Sequence, residues 1–341
     1  MPIDIVVDGM GSDKAPESEI RGAILACRHL DVRVHLVGPE EILRPVLRQH
    51  LASHNLQNKH LPVFIVPASE WISMDDKAAQ AVRSKRDSSM RVGLKMVREG
   101  RAAAFFTAGN TGAAMATAKM VLGMLAGVHR PALSTILPTS TGNLSLLLDV
   151  GANVDSAPDN LVQFAVMGSI YSQNVLKVHN PRVGLLSIGE EESKGNALTR
   201  DTFPLLRALS CINFIGNVEG RDLYNGHSDV TVCDGFVGNV ALKTSEGIAK
   251  LVNATLRESL KSTVTSQVGA LLSRKAFNEF KKRLDYSEYG GAPLLGVRGP
   301  CIIGHGSSNE RAVMNGIRVA AEYAQAEVNS SIEAALHKPL A

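Results

Sequence analysis

Residues 182–209 read RVGLLSIGEEESKGNALTRDTFPLLRAL. A short apolar run, Val183–Ile188, ends in a polar loop flanked by glycines, and from Asn196 to Leu209 apolar residues recur at helical spacing. The hydrophobic pattern changes from a continuous run to a period of about 3.6 residues, which marks a buried strand followed by an amphipathic helix. The same unit recurs along the chain. Further strands are expected at Ile3–Val7, Val32–Val37, Val63–Val66, Ala103–Thr107, Ile212–Val218, Val230–Cys233 and Cys301–Gly304. Helical patterns follow at Pro16–His29, Glu40–His50, Gln80–Arg98, Gly112–Leu125, Asn239–Leu260 and Asn309–Ala335. Strands alternating with helices at this spacing imply an α/β fold, with a mainly parallel sheet between two helical layers. One stretch differs: LSTILPTSTGNLSLLLDV (133–150) carries two apolar runs around a Ser/Thr/Gly/Asn turn, the pattern of a β-hairpin.

Local signals refine this outline. Pro16 suits the first turn of its helix, and Ser307 with Glu310 predicts an S-x-x-E capping box before the last one. No Gly/Ser- or Pro-rich linker and no internal repeat divides the chain, so residues 1–341 read as a single α/β unit with room for two lobes around a cleft. Within it, residues 260–284 change phase. Val264, Val268, Leu271 and Leu272 share one helical face, whereas Phe277, Phe280 and Leu284 fall on nearly the opposite one. Two helices meeting near Ser273–Lys275 reconcile the faces, and Lys261, Arg274, Lys275, Lys281, Lys282 and Arg283 make this protruding hairpin basic. It reads either as a hairpin packed on the body or on a dimer mate, or as a surface for an anionic membrane or an acidic carrier protein.

Composition excludes several classes. Apolar residues form 45% of the 341, charged residues 20%, and the net charge is only +3, an ordinary globular profile. With 4% aromatics and no basic tract, nucleic acid is not an expected partner. Cys27, Cys211, Cys233 and Cys301 are far apart, with no CxxC pair and no His at ligand spacing, so reduced thiols rather than a metal site or disulfides are expected. The opening MPIDIVVDGMG reads as a strand and not as a signal peptide. The longest apolar stretch, Ala113–Val128, is interrupted by Lys119 and too short to span a bilayer. A cytoplasmic location is expected.

The chemistry is expected in five loops that leave strand carboxyl ends: DGMGSD (8–13), TAGNTGA (107–113), SIGEEESKGN (187–196), CDGFVGN (233–239) and GHGSS (304–308). Each precedes a helix, whose free N–H groups and dipole favour an anion. If all five converge on one sheet edge, they form a phosphate-type site from Asp8, Gly9, Gly11, Asn110, Thr111, Gly112, Asp234, Gly235, Gly238, His305 and Ser307. No G-x-G-x-x-G follows the first strand, and G-x-x-x-x-G-K-[ST], H-E-x-x-H and G-x-S-x-G are absent. Lys194 would set a cation against a phosphate or developing oxyanion, and Asn239 an amide donor. Asp8, Asp13 and Asp234 would orient these groups, and His305 would donate or accept a proton. Taken singly, a loop lysine is more often solvated and an Asp before Gly more often a turn former.

The blocks DGMGSDKAP, TAGNTGA, LLDVGAN, RVGLLSIGEEESKGN, FIGNVEGRD, DVTVCDGFVGNVALK, YGGAPLLGV and HGSS, in this order, resemble the bacterial acyl-ACP:phosphate acyltransferase family of phospholipid synthesis, over essentially the whole chain. The resemblance implies an enzyme that forms acyl phosphate from inorganic phosphate and a fatty acyl chain on acyl carrier protein. That product feeds a membrane glycerol-3-phosphate acyltransferase. It also implies a homodimer with a three-layer α/β/α fold similar to phosphotransacetylases and isocitrate/isopropylmalate dehydrogenases. The protein would lie on the inner membrane face through its helical hairpin, which makes Leu271, Leu272, Phe277 and Phe280 the expected membrane contacts. The family's catalytic lysine and asparagine fall at Lys194 and Asn239, and neither a cofactor nor a metal is implied. The first loop departs from the family's usual DAMGGD: Ser12 stands where glycine is usual. Direct transfer without an acyl-enzyme is expected, since no elbow serine and no Cys–His arrangement occurs. The alternative is a phosphotransacetylase-like enzyme that takes its acyl group from coenzyme A.

Overall fold

A computed structural model describes residues 1–53, 61–284 and 286–337. Eleven strands form one sheet: β1 (Ile3–Asp8), β2 (Val32–Gly38), β3 (Val63–Pro67), β4 (Ala104–Thr107), β5 (Ala132–Pro138), β6 (Leu144–Leu148), β7 (Arg182–Leu186), β8 (Asn213–Val218), β9 (Val230–Val232), β10 (Ala292–Leu295) and β11 (Cys301–Ile303). The helices are α1 (Glu17–His29), α2 (Glu40–Ser53), α3 (Ala78–Ser84), α4 (Ser89–Arg98), α5 (Thr111–Val121), α6 (Pro158–Asn174), α7 (Ala197–Ala208), α8 (Asp222–Asn225), α9 (Gly235–Lys261), α10 (Val264–Leu272), α11 (Arg274–Leu284), α12 (Glu310–Gln325) and α13 (Val328–Leu336).

Strand residues alternate between two apolar layers, as the pleat requires. Ile5, Val7, Leu146 and Leu148 pack into one layer with α1, α2, α6, α7, α12 and α13. Val6, Phe105 and Leu147 pack into the other with α3, α4, α5 and α8. Both faces of the central strands are therefore covered, which explains their continuous apolar runs. The architecture is three-layer α/β/α.

The sheet order is β3-β2-β1-β4-β11-β10-β5-β6-β9-β7-β8. Neighbours are parallel from β3 through β11 and again from β6 through β8, but β10 is antiparallel to β11 and β5, and β5 is antiparallel to β6. Three reversals leave the two parallel halves pointing in opposite directions. The five glycine loops therefore do not leave one edge, contrary to the sequence expectation. The loops after β4, β11 and β9 meet at one cleft because the halves are staggered, and the loop after β7 is not part of its lining. Ile303, the last residue of β11, pairs with Ala292. Since Leu294 pairs with Leu133, Ala292 falls level with Thr135, which pairs with Leu147, one residue before the end of β6. The carboxyl ends of both halves thus stop at nearly the same level and meet across the middle of the sheet.

Several elements differ from the sequence reading. The single helix expected over Gln80–Arg98 is two, α3 and α4, separated where Ser69 donates through N–H and Oγ to Asp87, at 2.8 and 2.6 Å. The last helix is likewise interrupted, at Glu327, whose φ is +48°. The Ser307–Glu310 capping box does not form. Asn309 caps α12, accepting from Arg311 N and Ala312 N at 3.0 Å, while Ser307 turns to His305 and Glu310 pairs with Arg21. Helix α6 and strand β10 were not expected. The first is buried nearly all round and shows no polar stripe, and the second is only four residues long.

Candidate active site

From the first half of the sheet, β1, β4 and β11 deliver loops that brace one another. Asp8 is buried at the end of β1, where it accepts from Thr107 Oγ1 at 2.8 Å and from Met10 N at 3.2 Å. Burial raises its carboxyl above the usual range, and these hydrogen bonds oppose the rise. Gly11 allows the loops to touch: a Cβ there would lie 2.9 Å from Gly109 N. Asp13 N donates to Gly306 O at 2.8 Å, joining the first loop to the last. Ser12, where the resemblance expects glycine, donates its N–H at 2.7 Å to Glu19, a fully buried glutamate on α1. Burial, with a contribution from nearby Asp8, pushes the Glu19 carboxyl up to about 7.

The second half contributes the loop after β6 and the start of α9. Asp149 is fully buried and collects N–H groups from Leu133, Gly151, Ala152 and Asn153 at 2.7–3.1 Å, along with the Asn153 side chain at 2.8 Å. Burial raises its carboxyl, against the pull of those donors. Asp234 caps α9 by accepting from Phe236 N and Val237 N at 2.8 and 3.0 Å. Gly235 and Gly238 seat the helix on the Asp149 loop: a Cβ on Gly238 would fall 1.8 Å from Asp149 O, and one on Gly235 would fall 2.5 Å from Asn153 O. No side chain fits there without moving main chain.

Between the halves lies a cleft of about 410 Å³, lined by Thr111, Gly112, Gly151, Asn239, Lys243, Glu246, Tyr289, Gly304 and His305 among others. Thr111 and Gly112 form the first turn of α5, so one helix N-terminus borders the cavity, and Asn239 faces it from just past the capped first turn of α9. Gly151, at φ +132°, lies against Asn239. His305 Nδ1 accepts from Ser307 N at 3.2 Å and contacts Ser307 Oγ at 2.8 Å. An N–H donating to Nδ1 leaves the proton of the neutral ring on Nε2. Such a cavity favours an anion through the start of α5, the Asn239 amide and one cation, Lys243.

Of the residues expected from sequence, Thr111, Gly112, Asn239 and His305 line the cleft. Asp8, Gly9, Gly11, Asp234, Gly235, Gly238 and Ser307 frame it. Asn110 is also framework: it caps α5 through Ala113 N at 3.0 Å, and its amide donates to Met74 O and Asp76 O at 3.2 Å. Lys194 is exposed on the loop after β7 and does not line the cleft. The glutamates beside it fix that loop, with Glu190 pairing with Arg221 and Glu192 with Arg207, while Asn217 Nδ2 donates to Glu191 O at 2.9 Å. Sequence reasoning passed over Asp149, Lys243, Glu246 and Tyr289. The available signal was spacing: Lys243 and Glu246 stand four and seven residues after Asn239, on one helical stripe.

Three of the four thiols are poor nucleophiles; the fourth, Cys211, is exposed and is not among the residues lining the cleft. Burial pushes Cys27 and Cys301 up to about 12, and Cys233, beside Asp149, well above the usual thiol range. Among the described residues, no group of three or more His, Cys, Asp or Glu side chains is arranged to hold a metal ion, and no helix is long and apolar enough to cross a membrane.

The family model described as "Fatty acid synthesis protein" matches residues 3–331. A phosphate acyltransferase of Acidobacterium capsulatum is 70% identical over 99% of this chain and 98% of its own length. One from Koribacter versatilis is 63% identical, covering 97% and 92%. Among solved structures, a phosphotransacetylase from Streptococcus pyogenes superposes with a TM-score of 0.63 at 16% identity, over 95% and 94% of the two chains. A 4-hydroxythreonine-4-phosphate dehydrogenase from Klebsiella pneumoniae gives 0.53 at 15% identity, over 95% and 99%. Those two likenesses concern the fold.

Proposed function

The chain belongs to the phosphate acyltransferases of the fatty acid synthesis protein family, and from that premise we propose that it transfers a fatty acyl group from acyl carrier protein to inorganic phosphate. The observation that carries this reading is the cleft, where the first turn of α5 and the Asn239, Lys243 stripe of α9 border one cavity. A phosphate oxygen attacks the thioester carbonyl and forms the new C–O bond. The tetrahedral oxyanion collapses as the C–S bond breaks, and the carrier thiolate leaves and takes up a proton. Phosphate is already largely dianionic at neutral pH, so no strong base is needed. The work is orientation and oxyanion stabilisation. Asn239 is assigned the donor to that oxyanion; Lys194, on the loop after β7 and outside the cleft lining, is assigned the neutralising cation on the resemblance alone. No cysteine lines the cleft among the described residues, and Cys27, Cys233 and Cys301 are held protonated by burial, which supports direct transfer without an acyl-enzyme.

The acyl phosphate is an activated acyl donor, suited to acylation of glycerol 3-phosphate by a membrane acyltransferase. A cytoplasmic position on the inner membrane face agrees with the surface of α10 and α11: Leu271 and Leu272 are 69% and 83% exposed, Phe280 is exposed and Phe277 half-buried. Lys261, Arg274 and Lys275 are exposed nearby; the side chains of Lys281, Lys282, Arg283 and Leu284 lie outside the described residues. Apolar exposure along α9, at Val240, Ile248 and Leu251, supports pairing with a second copy. The test offers acyl chains on carrier protein and on coenzyme A side by side with inorganic phosphate and traps acyl phosphate with hydroxylamine. Product from the carrier-bound chain supports the reading. Product from the coenzyme A thioester alone replaces it with the phosphotransacetylase-like alternative.

A further inference from the structure

Helix α9 puts three polar side chains on one stripe facing the cleft: Asn239, Lys243 one turn later and Glu246 after a further turn. Lys243 is the only lysine or arginine among the described residues that line the cavity. His305 lies across the cleft with Nδ1 turned to Ser307, and Lys194 stands outside. A cavity suited to a dianion therefore has a single permanent positive charge on its wall. That charge is already engaged, since Lys243 Nζ pairs with Glu246 Oε2 at 3.0 Å. The partners are unequal. The Glu246 side chain is only 13% exposed and the Lys243 side chain 55%. The carboxylate is recessed beside the helix while the ammonium stays accessible to a ligand.

We propose that Lys243 is the phosphate-anchoring cation of the cleft and that Glu246 competes with phosphate for its ammonium. The inference rests on the phosphate acyltransferase reading and adds to it a binding role for these two residues. An ammonium donating to phosphate makes a charge-assisted hydrogen bond, short and roughly twice as strong as a neutral one. Glu246, the anion nearest that bond, opposes it by holding the same donor and by like-charge repulsion with phosphate. Removing the lysine charge and removing the glutamate charge should thus act in opposite directions. A purely structural ion pair would make both substitutions harmful.

The experiment compares Lys243→Gln, Lys243→Arg and Glu246→Gln with the wild-type protein, first in acyl phosphate formation with inorganic phosphate varied at saturating acyl donor. Direct binding of inorganic phosphate is then measured by calorimetry without acyl donor. Lys243→Gln is expected to raise the phosphate KM by roughly 10- to 100-fold, the worth of one charged hydrogen bond, with the acyl-donor KM changed less than about twofold. Lys243→Arg should restore most of the loss. Glu246→Gln should lower the phosphate KM by roughly two- to fivefold, the scale of a partly exposed ion pair, and the calorimetric affinities should follow the same order. A phosphate KM within about twofold of wild type in a folded Lys243→Gln variant overturns the proposal, as does weakened phosphate binding in Glu246→Gln. A wild-type protein that binds phosphate but forms no acyl phosphate refutes the catalytic reading instead, and the binding order of the variants still decides the role of Lys243.

Discussion

Replacing Glu19 by glutamine should flatten the pH dependence of stability in a defined window. The carboxyl is fully buried under the first loop and its pKa is raised from 4.5 to about 7, by burial first and then by Asp8. A carboxyl whose folded pKa lies above its unfolded value binds its proton more tightly in the folded state. Its contribution is therefore fully present below pH 4.5 and is lost as pH rises through the folded value near 7. The shift corresponds to about 3 kcal/mol in total, at about 1.4 kcal/mol per pH unit, of which about 2 kcal/mol falls between pH 5 and pH 8. Glu19→Gln keeps a carbonyl acceptor for the Ser12 N–H and removes the titration. Asp149 titrates alike in both proteins, while the coupling of Asp8 to Glu19 is part of what the substitution removes, so the informative quantity is a difference of differences. Urea unfolding of both proteins at pH 5 and pH 8 should show the wild type losing about 2 kcal/mol more than the variant over that interval. Equal losses in the two proteins would mean that Glu19 is ionised throughout, and the burial argument for this loop would fail.

Gly238→Ala must displace the start of α9 from the Asp149 loop, since its Cβ would sit 1.8 Å from a carbonyl oxygen. A loss of about 3 kcal/mol should appear in thermal unfolding, and an unshifted midpoint would show that the helix start is not seated as described. Lys194→Ala and Asn239→Ala should each lower turnover by about 100-fold with the fold intact by circular dichroism; near-normal turnover in either removes that residue from the mechanism. Changing Leu271 and Leu272 together to serine should reduce co-sedimentation with anionic vesicles while leaving soluble turnover within about twofold. Undiminished sedimentation would assign their exposed face to protein packing instead.

The strands were legible because those of a doubly covered sheet are apolar on both faces, a pattern with no helical period. Their relative direction was not. It depends on β10 and β5, and although the β5–β6 hairpin could be read from its turn, β10 is a four-residue apolar run between glycines. Helix α6 escaped for a related reason: buried nearly all round, it has no polar stripe to reveal a helix. Within the site, the glycine loops were visible in the letters themselves, but their use was not. Asn110 and Asp234 are equally good helix caps and anion-site residues on paper, and the structure spends their side chains on caps. Lys243 and Glu246 carry no mark in the letters, and only the placement of α9 across from α5 sets them on the cleft. Lys194 shows the converse, a residue singled out by its surrounding block that geometry sets on a neighbouring loop.

The central position of β11 and β10 has a consequence for how the chain is made. These strands come late in sequence, at residues 292–303, yet they fill the middle of the sheet between β4 and β5. During synthesis from the amino terminus, β4 and β5 are each left with an unpaired edge from their own synthesis, at residues 104–138, until residues 292–303 are made. Both edges are apolar and expose main-chain N–H and C=O groups, the feature that recruits strands from other molecules. A chain stalled before residue 292 would therefore carry two adhesive edges at its centre, and completion of the last strands closes both in a single step.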